Sequence, residues 1–500
     1  MKKFLTLALV GAVVLGLSSV VYANVCAFDA VPAATLLFPF VQYDYVNDGA
    51  GGTTLFSITN VSSEAQVVHV TLWTDYSVAI LDFNILLTGY DVQTLNIRDI
   101  LADGILPITG GTDSNVGDEP NSDGPVSETN TINGAWIDGL LADPESTAVL
   151  TCDVGDPQDY TDGIDAPILA FFEAWLMKSQ AAGARSYDTL PCDGAATSIV
   201  GTWWLDDDFN ADRMTWMYIT ADIVTECNLA FPNDVQGSYF AYLEGSDNVL
   251  IGDVIYLDPV GGFSEAVNAV HLEADEDLAA VATPLFNPET GVQTDYPISF
   301  YSRYAHWTNP LPWAYREPLG TAWGFRYFTD DAASAYTYIR AWKGGSWYRN
   351  IVDLALDSYD QNVSTFTAHN CLAYTYYAWD EEENVTSITD NPWSFPGGGN
   401  EVPNLLPLET QEVNVDEFTL PDNFGWMLFV WPASNFDGIP GAAPDPDYYQ
   451  TWMGVKYQAF GQFSAAIDGA LMANYNCFEG QVLPNLGIAY DYVDAGGFTP

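Results

Sequence analysis

The sequence predicts a mainly β protein of antiparallel β-sandwich sheets, immunoglobulin-like or jelly-roll-like, with one or two helices and long acidic loops. Three observations carry this expectation. Between Thr53 and Ile97, four short runs alternate in polarity or are rich in β-branched and aromatic residues, with turn residues between them. Hydrophobic residues make up 48% of the chain and aromatic residues 14%, at a mean hydropathy of +0.03, which supplies core material and argues against a disordered acidic polymer. A single stretch, near 167–183, shows clear helical spacing.

Residues 1–23 have the form of a secretory signal peptide. Lys2 and Lys3 precede the apolar run Phe4–Leu17, and Val21-Tyr22-Ala23 offers a small-residue cut site that leaves Asn24 as the new N-terminus. No later run approaches the roughly 18 apolar residues of a spanning helix, so no membrane span is expected after signal cleavage. Cys26 does not follow the cut directly, unlike a lipoprotein cysteine. The expected location is extracytoplasmic: secreted, periplasmic or on the outer surface.

Asn24–Asp48 contains a short apolar strand whose Pro32 and Pro39 assign it to a sheet edge or an N-terminal clasp. Thr53–Thr59, Val67–Trp73, Ile80–Leu87 and Val92–Ile97 then read as four strands of one sheet. Turns fall at Asn60-Val-Ser-Ser, where Asn and Ser side chains can bond nearby backbone, and at Thr88-Gly-Tyr-Asp. Asp103–Pro125 is a polar loop. Ala166–Ala184 is the helix, with Ile168, Leu169, Phe172 and Leu176 on one face, Pro167 near its start and Gly183 near its end.

Strand character returns at Val200–Leu205, Thr215–Val224, Tyr239–Leu243, Val249–Leu257 and Ala269–Ala274. Later strands are expected at Ala373–Trp379, Phe424–Trp431, Val455–Phe463 and Ala465–Met472, with a Pro/Gly/Asn loop at Asn391–Pro407. A soft boundary near 285 divides an N-terminal β-sandwich region, 24–285, from an aromatic-rich C-terminal β region, 286–500. No strict internal repeat and no heptads are visible.

The charge balance excludes one class of partner. The chain carries 67 acidic and 13 basic residues, a formal net charge of −54, and two of those basic residues lie in the leader. Such a field repels nucleic acid and anionic membranes and attracts cations. The six cysteines, Cys26, Cys152, Cys192, Cys227, Cys371 and Cys477, suit three disulfides in an exported chain. Sequence neighbourhood suggests Cys152–Cys192, Cys371–Cys477 and, by remainder, Cys26–Cys227.

Three candidate sites follow. Asp153, Asp156, Asp159, Asp162 and Asp165 recur every third residue beside Gly163, a set of hard oxygen donors suited to calcium, though not in the alternating order of an EF-hand loop. In so acidic a chain, clusters of this kind also arise by composition. The stretch 300–349 holds six basic residues among many rings, and Trp307, Trp313, Arg316, Trp323, Arg326, Arg340, Trp342 and Trp347 form a candidate groove for a glycan or another cell-surface component. The competing internal reading seats the rare arginines beside carboxylates and stacks them on rings to hold the fold. Thirdly, His271, Glu273 and Asp275 share one strand face, a poor zinc set, while His69, His306 and His369 are scattered.

No GxSxG elbow, HExxH motif or phosphate-cradling glycine loop is present. The expected function is therefore non-enzymatic, with a cell-surface, structural or ligand-binding role. One alternative is a carbohydrate-active hydrolase using paired carboxylates. Another is an outer-membrane-associated or assembly-forming protein, which predicts flat apolar patches or unpaired edge strands.

The N-terminal motifs carry a resemblance. Cys26 with Pro32-Ala-Ala-Thr-Leu-Leu-Phe-Pro39, Thr53-Thr-Leu-Phe-Ser-Ile58, His69-Val-Thr-Leu-Trp-Thr-Asp75 and Leu81 to Thr94 resemble a group of exported bacterial proteins with no known activity. The resemblance covers about the first hundred residues and implies export, without assigning any catalytic residue.

Overall fold

The computed structural model describes residues 31–45, 51–75, 79–107, 214–225, 239–241, 247–274, 285–286, 293–294, 299–303, 316–344, 374–390, 406, 409–431, 450–461 and 463–473, with isolated positions between them. Within them the protein is mainly β, in antiparallel sheets arranged as sandwiches.

The first sandwich uses nine strands: β1 (Thr35–Asp44), β2 (Thr53–Asn60), β3 (Gln66–Thr74), β4 (Ala79–Leu87), β5 (Val92–Asn96), β6 (Met214–Val224), β7 (Leu250–Asp258), β8 (Phe263–Asn268) and β9 (Val270–Leu272). One sheet has five strands in the order β4-β3-β6-β1-β9, the other four in the order β5-β2-β7-β8. Their facing sides, with Leu36, Phe38, Val68, Val70, Ile219 and Ala221 opposite Phe56, Ile58, Leu95 and Val254, form the core, and Phe38 meets Phe56 at 4.9 Å. A two-stranded ribbon, β10 (Leu285–Phe286) and β11 (Gln293–Thr294), comes next in the chain.

The second sandwich comprises β12 (Ala322–Phe328), β13 (Tyr336–Lys343), β14 (Tyr374–Asp380), β15 (Val385–Asp390), β16 (Thr410–Asn414), β17 (Phe424–Val430), β18 (Thr451–Ala459), β19 (Phe463–Asp468) and β20 (Ala470–Ala473). Its sheets run β15-β14-β17-β12-β20 and β16-β13-β18-β19. Strand for strand, this is the topology of the first sandwich, with β12 in the place of β1 and β20 in the place of β9.

The correspondence extends to single hydrogen bonds. The bridge Ala33–Leu250 has its counterpart in Gly320–Thr451, and Ile223 N donating to Ala34 O has its counterpart in Trp431 N donating to Thr321 O. The Thr54 hydroxyl accepts from Gln42 N at 3.0 Å and donates to Gln42 O at 3.0 Å. Thr337 does the same with Phe328, at 3.0 and 2.9 Å. Asn96 at the end of β5 and Asn414 at the end of β16 each cap the helical turn that follows, α1 (Ile97–Leu101) and the 3-10 turn Val415–Glu417. The fold is therefore an internal structural repeat, carried by a sequence that shows no strict one.

Several expected elements stand elsewhere. The four runs from Thr53 to Ile97 are strands, but they divide between sheets: β3 and β4 pair in one, β2 and β5 in the other. β1 is not an edge strand; it lies between β6 and β9. Pro39 is accommodated because the β1–β6 register shifts between Phe38 and Val41, a bulge where no ladder donor is needed. Tyr239–Ala241 is a 3-10 turn rather than a strand, and β8, β10, β11, β12, β15 and β16 stand where no strand is expected from the sequence. Leu169 and Leu176 are helical and Leu176 joins the core, while the rest of the expected helix, the signal segment and Val200–Leu205 lie outside the described residues. Among the described residues, no helix is long and apolar enough to cross a membrane.

Candidate functional site

The sandwiches meet face-on through unlike sheets, and also along the edges of the two four-stranded sheets, where β19 lies beside β8. The outer face of the first five-stranded sheet carries His69, Thr71, Trp73, Tyr218, Thr220 and Asp222, all buried. Trp342 on β13 packs edge-on against Tyr218 at 5.8 Å, and Tyr218 is stacked on Trp73 at 5.7 Å. Thr410 Oγ1 donates to Pro39 O at 2.7 Å, and Glu409 N donates to Asp75 O at 2.9 Å. The four-stranded sheet of the second sandwich thus covers part of the five-stranded sheet of the first.

Two buried polar clusters form near this contact. In the first, Asp222 accepts from Thr35 Oγ1, the Tyr301 hydroxyl and, at 2.5 Å, the Tyr239 hydroxyl. Arg316 Nε donates to Thr35 Oγ1 at 2.8 Å. Burial pushes the Asp222 carboxyl upward, against the Arg316 charge and the three hydroxyl donors. Burial also raises the Tyr239 phenol well above its ordinary range. An acid, two phenols and a guanidinium are chemistry an enzyme could use. Here every member is at most 2% exposed, so the set pins the covering segments onto the sheet.

His69 faces Asp222 across the ladder. Its Nδ1 lies 3.0 Å from Asn84 Oδ1, and burial lowers its pKa to about 4, partly offset by that bond, so the ring is neutral near pH 7. His271 is also interior, with Nδ1 2.7 Å from Val31 O and Nε2 accepting from Gly252 N at 3.2 Å, which assigns it to backbone support.

In the second cluster, Arg340 on β13 joins both sandwiches. It donates to Glu265 on β8 at 3.0 Å and to Glu412 on β16 at 2.8 Å. Its guanidinium carbon lies 4.1 Å from the Tyr256 ring centre and 4.8 Å from that of Phe40. Lys456 reaches Glu412 at 3.4 Å, and Ser464 donates to Glu265. Burial pushes Glu412 up, but Lys456 and Arg340 outweigh it and hold the carboxyl below its usual range.

Of the expected groove, Arg316, Trp323, Arg340 and Trp342 are interior and line no open surface. Trp323 Nε1 donates to Thr451 Oγ1 at 3.0 Å inside the second sandwich. Arg326 is exposed on β12. Trp307, Trp313, Trp347, the five aspartates from Asp153 to Asp165, Asp275 and all six cysteines lie outside the described residues.

A different aromatic set is partly exposed to solvent. On the outer face of the second five-stranded sheet, Trp379 on β14 stacks on Trp426 of β17 at 4.2 Å and 9°, and Tyr377 stacks on Trp379 at 5.6 Å. Val430 and Met472, partly buried, continue the apolar patch around buried Leu428, exposed Val385 flanks it, and Trp426 is 37% exposed. Gly425 allows this approach, since a Cβ there would stand 1.7 Å from Trp379 O. Trp379 and Trp426 occupy the places that Trp73 and Tyr218 hold in the first sandwich. Sequence reading missed this shelf because Trp379 and Trp426 lie outside the 300–349 stretch, and only strand pairing joins them. No protein-family model, no curated protein and no solved structure matches the chain.

Proposed function

We propose that this is an exported, non-enzymatic protein with a structural or ligand-binding role at the cell surface, which engages its partner through the shelf of Tyr377, Trp379 and Trp426. The observation that carries this reading is the shelf itself. Large rings on a flat strand face, with Trp426 at 37% exposure, are a surface chemistry that soluble proteins use for contact. The leader at 1–23 supports export. The net charge of −54 favours partners other than nucleic acid. Three disulfides among the six cysteines, calcium on Asp153 to Asp165 and a glycan as one possible partner class belong to the same reading.

The test has two arms. Fractionation of producing cells is expected to place the processed chain outside the cytoplasm. Labelled protein is expected to be retained on those cells or on a glycan array, and the Trp379→Ala/Trp426→Ala variant to lose that retention. Equal retention of both proteins would remove the shelf from the function.

A further inference from the structure

Burial patterns in the two sandwiches are complementary. β3 is buried at all nine positions. Its counterpart β14 alternates between buried and partly exposed residues, as a strand with one open face does. On the four-stranded sheets the order reverses. β18 begins with five buried residues, including Trp452, whereas its counterpart β7 leaves Asp253 and Ile255 exposed. The contact between the sandwiches accounts for part of the difference: Trp342 covers Tyr218 beside Trp73, while Tyr239 and Tyr301 cover His69 and Asp222 on the same face. The Trp379–Trp426 place on the second sandwich and the β2–β7 face on the first keep exposed residues, Trp426 and Val385 on one and Asp253 and Ile255 on the other, and they match the two halves of that contact.

We propose that copies of this chain associate head to tail, with the shelf of Tyr377, Trp379 and Trp426 on one copy seated on the outer face of β2 and β7 in the next. The partner is a second copy, which names the occupant of the shelf in the function proposed above and rests on that reading. The receiving face is suited to it. Leu55, Ile251, Ile255 and Leu257 form an aliphatic strip on β2 and β7, bordered by exposed Val92 on β5. The charges also match. Arg326, exposed on β12 and paired across the ladder with Trp426, makes no ion pair among the described residues, and the facing surface offers exposed Asp253. The two faces are different, so the contact is heterologous and can propagate. A net charge of −54 on every copy opposes association, and added salt screens that repulsion.

The test uses the full processed chain and measures mass by light scattering across a concentration series at low and high salt. The wild type is expected to gain mass with concentration, and more so at high salt. Trp379→Ala/Trp426→Ala blocks one face and Ile255→Asp the other, so each variant alone is expected to stay monomeric with an unchanged circular dichroism spectrum. Their equimolar mixture retains one working contact and is expected to stop at twice the monomer mass. A wild type that stays monomeric at high salt, or a mixture that stays monomeric, overturns the proposal. Monomeric wild type whose retention on cells still depends on Trp379 and Trp426 overturns self-association alone and leaves the binding role standing. Association in a chain that stays in the cytosol does the reverse.

Discussion

Replacing Arg340 with Met tests how the sandwiches are joined. The side chain is buried and donates to Glu265 at 3.0 Å and Glu412 at 2.8 Å. Methionine keeps an apolar stem of similar length and removes the guanidinium, with its two ion pairs and its contacts with the Tyr256 and Phe40 rings. Removing one partner of a buried ion pair costs about 3–5 kcal/mol, because the remaining charge is left uncompensated. The structure points to the lower end. Lys456 stays 3.4 Å from Glu412 and Ser464 still donates to Glu265, so neither carboxylate is left bare. The expected loss is about 3 kcal/mol near pH 8, read from urea unfolding with circular dichroism.

The pH dependence has a definite sign. In the wild type Glu412 is held below its usual range, so it contributes stability above its unfolded pKa and loses it as pH falls through the folded value. Without Arg340, Glu412 loses one of the two cations that hold its carboxyl down, and with it much of that contribution. The deficit of Arg340→Met should therefore shrink as pH falls below the ordinary glutamate range and through the depressed folded value of Glu412. Adding Glu265→Gln to Arg340→Met should recover part of the loss. A deficit below about 1 kcal/mol near pH 8, the range of an exposed pair, would refute the buried-pair reasoning, as would a deficit independent of pH.

His69 supplies an acid-limb prediction. Its folded pKa is lowered from 6.5 to about 4, so its contribution is complete above the unfolded value and is lost as pH falls across that window. The loss amounts to at most about 3 kcal/mol, the bond to Asn84 already offsetting part of the burial, and His69→Gln should flatten the melting temperature against pH there. Thr54→Val and Thr337→Val should each cost about 1 kcal/mol in urea unfolding, because each hydroxyl bridges the same backbone groups in its own sandwich. Gly425→Ala should lower the melting temperature and disturb the tryptophan near-ultraviolet signal, since the new methyl would lie 1.7 Å from Trp379 O. Mass spectrometry of denatured, exported protein should count no free thiols among the six cysteines, and six free thiols would contradict export.

Strand chemistry was legible wherever it was local. β2, β3, β4, β6, β14 and β17 stand close to where alternation and β-branched runs placed them, and the Asn60 turn makes the side-chain bonds expected of it. Sheet membership was not legible. Nothing local tells β2 to pair with β7, which follows about 190 residues later, rather than with its neighbour β3. The structural repeat was hidden for a similar reason. The chain between β5 and β6 is long while that between β16 and β17 is short, and the reverse holds between β2 and β3 against β13 and β14. A search for a fixed period finds none. The few retained residues, such as Gln93 with Gln411 and Tyr256 with Tyr457, are too sparse to stand out. Arg316, Arg340, Trp323 and Trp342 look the same in a sequence whether they line a groove or a core, and only burial distinguishes them.

The place of β6 bears on how the chain reaches its folded form. β6 is the central member of its sheet, with β3 on one side and β1 on the other, yet it follows β5 by more than a hundred residues. A polypeptide delivered N-terminus first presents β1 and β3 long before the strand that joins them is available. Both are strongly apolar, and in the interval each offers a bare ladder to any neighbouring nascent chain. Assembly of the first sheet is thus timed by delivery of residue 224 rather than by the intrinsic speed of hairpin closure, and a holdase acting during that interval would guard against premature strand exchange.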